Sequence, residues 1–287
     1  MDAIAEIGEP LPSAQTLLAE ATAALTATGV STARLDAEVL LAAACDLDRT
    51  SLYVRVNQPV TPAARRTFEV CLERRLQREP SQYIVGRQEF WSLDFAVTPE
   101  VLIPRPETEL LVEVALAIGS PLHTICDLGT GSGCLAVALA RELPSAEIWA
   151  IDQSTAALAV ARQNALRNGV ESIRFVGGDL FAPIADVCLD LIVCNPPYIA
   201  SSVLQQLEPE LAWEPRAALD GGVDGLDVVR RVVAGAPTYL ADGGWLLMEI
   251  GADQGAAALE LAHAARLNDV AVRDDYAGRP RVLLARR

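Results

Sequence analysis

Apolar positions recur at helical spacing from the start of the chain to about residue 79. Leu17, Leu18, Ala21 and Leu25 form one stripe behind Ser13, whose hydroxyl can cap a helix, and Gly29 stops it. Ser31 is placed to cap a second helix, with Leu35, Val39 and Ala42 recurring along it. Asp48 opens a short turn through Leu52. Thr61-Pro62 puts proline at the first position of another helix, which runs to Glu79 before Pro80 ends it. Residues 1–79 therefore read as a small helical bundle. The pattern then changes: Phe90, Trp91, Leu93, Phe95 and Val97 carry partial period-two spacing, so residues 80–104 read as a β-hairpin linker. Ile103-Pro104-Arg105-Pro106-Glu107-Thr108-Glu109 is a stiff loop running into a helix with acidic residues in its first turn.

From residue 105 to 287 apolar runs alternate with helical patterns, which predicts a doubly wound α/β sheet. The predicted parallel strands are Thr124–Cys126, Glu147–Ile151, Ile173–Val176, Leu189–Cys194 and Trp245–Ile250, closed by an antiparallel pair at Val270–Val272 and Val282–Leu284. There are no internal repeats and no low-complexity tract.

Composition narrows the chemistry. The 287 residues suffice for one or two domains with an ample core. No run approaches the ~20 apolar residues that span a bilayer. Asp2 and Glu6 stand where a signal peptide would be basic, so the expected compartment is the cytoplasm. Cys45, Cys71, Cys126, Cys134, Cys188 and Cys194 form no CxxC pair and are expected to be buried free thiols. His123 and His263 are the only histidines, which leaves little for a metal centre or a Ser-His-Asp relay. All 23 basic residues are arginine, which removes Schiff-base chemistry and the P-loop lysine. A net charge of −15 argues against a nucleic-acid grip. The cluster Arg65, Arg66, Arg74, Arg75 and Arg78 reads as a solvated helix face.

Two segments carry candidate chemistry. Asp127-Leu128-Gly129-Thr130-Gly131-Ser132-Gly133 follows the first sheet strand and opens a helix, where glycines let a ligand approach the backbone. The order G-x-G-x-G with a preceding acid suits a cationic sulfonium and amino group rather than a pyrophosphate, so S-adenosylmethionine is preferred to NAD. Asp152, at the end of the second strand, can accept from both ribose hydroxyls, and Asp179-Leu180 follows the third strand where a side chain can meet adenine. Asn195-Pro196-Pro197-Tyr198 follows the fourth. Asn-Pro and Pro-Pro also make ordinary turns, so the tetrapeptide gains meaning from its place at the carboxyl edge of the sheet. The Asn195 oxygen and the Pro196 carbonyl can each accept one hydrogen of a planar NH2 group, with Tyr198 lying against it. If the first and fourth strands are neighbours, that group meets the activated methyl.

With these motifs in view, the chain resembles the peptide chain release factor glutamine methyltransferases of the PrmC/HemK type. The likeness rests on Arg34 and Asp36, Tyr83-Ile84-Val85-Gly86 with Glu89-Phe90, the run Leu102 through Glu109, the glycine loop, Asp152, Gly177 through Phe181, Asn195 through Tyr198, Glu208-Pro209 through Leu219, and Gly278 through Val282. It implies a class I methyltransferase domain with a seven-stranded Rossmann-like sheet, an all-helical N-terminal domain that recognises the release factor, and a hairpin between them. It implies S-adenosylmethionine as cofactor, at Gly129 through Gly133, Asp152 and Leu180, and transfer to the glutamine of the Gly-Gly-Gln loop of class 1 release factors, gripped by Asn195 through Tyr198. Ser92 stands where the family's hairpin commonly has glycine, and Leu180 where it sometimes has tryptophan. The expected protein is a monomer with no metal, membrane or direct nucleic-acid partner. Nucleic-acid amino-methyltransferases share the Asn-Pro-Pro-Tyr motif, and a non-catalytic protein docking on the translation machinery is a second rival. The intact Asn195 and glycine loop argue against the latter.

Overall fold

The computed structural model describes residues 11–119, 121–185 and 187–287; Asp2 and Glu6 lie outside them. The chain divides after Gly86 into two compact units, so the segment 80–104 spans the division.

The first unit contains α1 (Ala14–Ala27), α2 (Ala33–Ala44), α3 (Arg49–Val54), α4 (Pro62–Leu76) and α5 (Ser81–Val85). Local cap chemistry sets three of these starts. The Ser13, Asp48 and Thr61 side chains accept from the backbone N–H groups of Thr16, Ser51 and Ala64. The expected α1 stripe is buried. Helix α2 departs from expectation. Thr32, not Ser31, is its N-cap, Leu35 is exposed, and the inward face includes Asp36 and Glu38. Asp36 accepts from Arg75 Nε at 2.9 Å, Ser81 Oγ at 3.1 Å and Thr32 Oγ1 at 2.9 Å. Glu38 accepts from Arg34, Arg49 and Tyr53 at 2.6, 2.8 and 2.5 Å. Buried carboxylates are tolerated when satisfied in this way. The arginine cluster is consequently not one solvated face, because Arg75 is buried. Helix α4 stops at Leu76 rather than Glu79 because Arg78 takes a left-handed φ of 66°. The short α5 was not expected after Pro80.

The second unit begins with the hairpin β1 (Arg87–Phe90) and β2 (Leu93–Ala96), paired antiparallel. Its two-residue turn has φ of 53° at Trp91 and 56° at Ser92, the sign pattern of a type I′ turn without glycine. Phe90 and Phe95 pack edge to face beneath it. The main sheet comprises β3 (Thr124–Leu128), β4 (Glu147–Asp152), β5 (Ile173–Gly177), β6 (Leu189–Cys194), β7 (Leu240–Glu249), β8 (Asn268–Asp274) and β9 (Pro280–Arg286), in the order β5-β4-β3-β6-β7-β9-β8. Strands β3 to β7 are parallel, and β9 and β8 close the edge antiparallel. Strand β7 begins earlier than its apolar run suggests, across Gly243-Gly244, where a Cβ on Gly244 would meet the Leu189 carbonyl at 2.8 Å. Successive strand residues point to opposite faces: Ile125, Leu191 and Val193 join a core with α6 (Glu109–Ala117) and α7 (Cys134–Glu142). Cys126, Ile192 and Cys194 join another with α9 (Asp227–Tyr239) and α10 (Gly255–Ala264). Helix α8 (Thr155–Arg167) follows β4. All six cysteines are free, but only Cys126 and Cys194 are buried; Cys45, Cys71 and Cys134 are half-buried and Cys188 is exposed. Among the described residues no helix is long and apolar enough to cross a membrane.

Candidate active site

Strand order reverses between β3 and β6, which pair directly with Ile125 beside Leu191 and Leu128 beside Cys194. At such a switch point the carboxyl ends diverge and leave a crevice. A cavity of about 480 Å³ lies there. Its lining includes Asp127, Gly129, Thr130, Gly131, Ser132, Asp152, Asp179, Leu180, Asn195, Pro196 and Pro197. Gly133 and Tyr198 are not part of that lining. Gly133 is the N-cap of α7 at φ 82°, and a Cβ there would meet Ala161 Cβ at 3.0 Å, so its glycine character serves the packing of α7 on α8.

The glycine loop is held by backbone bonds and two carboxylates. The N–H groups of Gly129 and Thr130 both donate to the Ile151 carbonyl, at 2.8 and 2.9 Å. Asp152 accepts from the Gly131 N–H at 2.9 Å and the Ser154 N–H at 2.8 Å. Each of its oxygens keeps a further lone pair. Asp127 Oδ2 accepts from Thr130 Oγ1 at 2.6 Å, while its buried Oδ1 has no hydrogen-bond partner. Burial pushes the Asp127 carboxyl up to about 7; the Thr130 hydroxyl and the nearby Ala136 backbone N–H oppose the rise and Asp152 adds to it. A buried acceptor in a residue of the cavity lining calls for a donor, and a cationic one suits it best. Gly129 stands at φ 74° with nothing within 4 Å of the position a Cβ would fill. Glycines and open carboxylate together fit a ligand bearing an amino group and a positive centre.

The Asn195 tetrapeptide is anchored by residues that sequence reasoning missed. Asn195 Nδ2 donates to Thr108 Oγ1 at 3.1 Å, and Thr108 Oγ1 donates to Glu249 Oε2 at 2.7 Å. Tyr198 OH donates to Glu249 Oε1 at 3.0 Å. Burial raises the Glu249 carboxyl above its usual range, with Thr108, Tyr198 and Arg281 opposing. Gln254 Nε2 donates to the Tyr198 carbonyl at 2.9 Å, fixing the exit of the loop. Among the described residues nothing donates to Asn195 Oδ1 or to the Pro196 carbonyl. Those two acceptors are the ones expected to grip an NH2 group.

Three further residues support the walls. Asn164, fully buried, accepts from Ala96 N–H and donates to the carbonyls of Ala96 and Ser132, tying β2 and the glycine loop to α8. Buried Glu214 accepts from the Ile103 N–H at 3.1 Å and pairs with Arg105, so the stretches 102–109 and 208–219 hold each other. Arg231 donates to Asp179 at 2.5 Å at the cavity mouth. An acid inside the apolar run Trp245–Ile250 was the one available signal for Glu249, since a charge there demands partners.

Two family models match: the PrmC N-terminal domain over residues 16–86 and the methyltransferase small domain over residues 106–214. The release factor glutamine methyltransferase of Moorella thermoacetica is 47% identical over 274 residues, covering 94% of this chain and 97% of that protein. This chain belongs to the release factor glutamine methyltransferase family. The Geobacter sulfurreducens member is 51% identical over 227 residues, with 79% of this chain and 80% of that protein covered. Family membership accords with the seven-stranded sheet, and solved structures show the same methyltransferase fold. The hMettl16 catalytic domain, solved with a MAT2A 3′UTR hairpin, superposes with a TM-score of 0.56 at 19% identity, over 78% of this chain and 81% of that one. A T. thermophilus 16S rRNA N2 G1207 methyltransferase, solved with AdoMet and guanosine, gives 0.52 at 18% identity, over 70% and 49%.

Proposed function

We propose that this chain transfers a methyl group from S-adenosylmethionine to the side-chain amide nitrogen of the glutamine in the Gly-Gly-Gln loop of class 1 peptide chain release factors, modulating translation termination. The observation that carries this reading is the pair of unengaged acceptors, Asn195 Oδ1 and the Pro196 carbonyl, in residues that line the same cavity as Asp127 and Asp152. The family's relatives support the substrate. In this reading the helical unit recognises the release factor, the hairpin belongs to the linker at 80–104, and the enzyme is a cytoplasmic monomer that needs neither nucleic acid nor metal.

S-adenosylmethionine, when bound, supplies an electrophilic methyl on a sulfonium centre. Asp127 would receive its amino group, Asp152 its ribose hydroxyls, Gly129 through Ser132 its chain, and Asp179 and Leu180 its adenine. The residues of this chain then have one difficulty to overcome. An amide nitrogen is a poor nucleophile because its lone pair is delocalised into the carbonyl. Two acceptors on the NH2 hydrogens bias the nitrogen toward pyramidal geometry and aim its lone pair into the cavity. Tyr198, its phenol held by Glu249, would lie against the flat group. Both prolines lack an N–H, so their loop holds its shape without competing for the acceptors. This is catalysis by orientation and electrostatics. The proton leaves to solvent once the nitrogen is cationic.

Two predictions test the cofactor half. Asp152→Ala should weaken binding of the non-reactive analogue sinefungin by about 1–3 kcal/mol, as expected for hydrogen bonds to a charged group. Calorimetry showing unchanged affinity would reject that role. Asp127, at about 7 in the free protein, is half protonated near neutrality. A cationic ligand favours its ionised form, so binding should release a proton and tighten as pH rises toward 7, then level off. Asp127→Asn should abolish the proton release. The same raised value means that this carboxyl's contribution to folding stability falls as pH rises from the ordinary carboxylate range to about 7.

The substrate half is tested by offering methyl-labelled cofactor with release factor, RNA and DNA in parallel. Label in the release factor supports the proposal, and label confined to nucleic acid replaces it with the amino-methyltransferase reading.

A further inference from the structure

The two ends of the Asn195 tetrapeptide converge on one buried carboxylate. Parallel pairing places Cys194 beside Met248, so Asn195 and Glu249 leave the sheet next to each other. Glu249 is only 1% exposed, and its two oxygens are taken by two hydroxyls, Thr108 and Tyr198. Thr108 lies on the opposite side of the chain's order, at the end of the 3-10 turn Pro106–Thr108, and it is 2% exposed. No direct bond joins Asn195 to Glu249; the hydroxyl of Thr108 stands between them.

The direction of these bonds carries information. An ionised carboxylate only accepts, and a hydroxyl has a single proton. Thr108 gives that proton to Glu249 at 2.7 Å, so its oxygen can offer Asn195 nothing but a lone pair. The atom of Asn195 facing Thr108 must therefore be the donor Nδ2, and Oδ1 must face away. A carboxamide is nearly symmetric in shape, and without such a relay its two orientations differ little. The flipped form would place Oδ1 against the Thr108 oxygen, two acceptors without a proton between them. It would also present a donor to an incoming NH2 group.

We propose that Thr108 and Glu249 are positioning residues that set the orientation of the Asn195 carboxamide, so that the site presents an acceptor and selects a donor NH2 group over a carboxylate oxygen, which has no hydrogen to give. This rests on the function proposed above, in which Asn195 grips the substrate nitrogen. Tyr198 is held by the other oxygen of the same carboxylate, so one buried group orients both ends of the grip. Burial raises the Glu249 carboxyl and Glu107 adds to the rise, while the two hydroxyl donors and the charge of Arg281 favour the ionised, accepting form.

The test uses the full-length enzyme with three substitutions of nearly conserved size. Thr108→Val removes the hydroxyl, Glu249→Gln replaces one of the two acceptor oxygens with a donor NH2 so that Thr108 and Tyr198 cannot both donate to it, and Thr108→Ser keeps the relay. For Thr108→Val and Glu249→Gln, kcat on release factor should fall roughly tenfold to a hundredfold, the scale of one misdirected hydrogen bond to the reacting group. KM for release factor and the Kd for sinefungin should stay within about threefold, since the interaction is made at the reacting centre. Thr108→Ser should recover to within about threefold of wild type. A Thr108→Val enzyme with wild-type kcat overturns the proposal, as does a failure of Thr108→Ser to recover. A readout independent of turnover separates this from failure of the proposed function. The side-chain amide signal of Asn195, assigned by its loss in Asn195→Ala, should move in Thr108→Val and return in Thr108→Ser. If wild type proves inactive on release factor, the function falls and this signal still decides the relay. An Asn195 signal unchanged by Thr108→Val overturns it.

Discussion

Replacing Asn195 by alanine is expected to lower turnover by about 10²–10³-fold, the range seen when one transition-state hydrogen bond is lost from a preorganised site. The reasons lie in what alanine removes. Oδ1 is an acceptor that no described residue uses, so its loss falls on the substrate. The Pro196 carbonyl remains, and a single acceptor cannot hold both hydrogens of an NH2 group. Cofactor affinity should change little, because Asp127, Asp152 and the glycine loop are bonded among themselves and not through Asn195. The comparison to make is single-turnover methylation against sinefungin affinity and thermal unfolding of the same variant. Turnover at the wild-type rate in a folded Asn195→Ala protein would defeat the assignment. Asn195→Asp should be nearly as slow. It keeps one acceptor but turns an oxygen toward the Thr108 hydroxyl, whose proton is already committed to Glu249.

The largest stability effect is expected in the helical unit, at Asp36→Ala. The Arg75 guanidinium is 4% exposed and its Nε donates to Asp36 at 2.9 Å. Removing one partner of a buried pair commonly destabilises by about 3–5 kcal/mol, because the buried guanidinium is left with less compensation. Ser81 and Thr32 lose an acceptor in the same step. Urea unfolding of the full chain, followed by a probe confined to the helical unit, measures it. The double variant Asp36→Leu with Arg75→Leu should recover much of the loss, since apolar side chains often replace a buried pair at little cost. A single variant within about 1 kcal/mol of wild type would show that the pair contributes no more than an exposed one.

The same pair shows where reading the sequence stops. Helix α1 was legible because its cap and its stripe are both local: Ser13 reaches three residues and the apolar positions repeat every turn. Helix α2 was legible as a helix, but its inward face was not, because that face contains Asp36 and Glu38. Their partners Arg75 and Arg49 come from α4 and α3, 39 and 11 residues away. A pattern of apolar positions assigns such acids to solvent and promotes Leu35, which is exposed. The parallel sheet was legible because strands buried on both faces read as continuous apolar runs. The closing pair β8 and β9 was read from two short apolar runs, although β8 has no buried residue.

At the site, the glycine loop and Asn195 through Tyr198 stood out because each follows a strand and contains residues with restricted or permissive backbones. Their supports did not stand out. Thr108 lies 87 residues from Asn195 and 141 from Glu249, and only the meeting of β6, β7 and the Pro106 turn gives the three a common purpose. Asn164 is a similar case, an interior helix residue whose value comes from the carbonyls of Ala96 and Ser132. Local chemistry announces what a residue can do, whereas long-range topology decides with what.

The most direct measurement locates the transferred methyl. Purified enzyme would be incubated with isotopically labelled S-adenosylmethionine and a class 1 release factor, and the Gly-Gly-Gln peptide fragmented in a mass spectrometer. The geometry of Asn195 and Pro196 predicts one methyl on the side-chain nitrogen of that glutamine, absent from the product of the Asn195→Ala enzyme. A methyl on an oxygen, on a backbone nitrogen or on another residue, or equal labelling by Asn195→Ala, would contradict it.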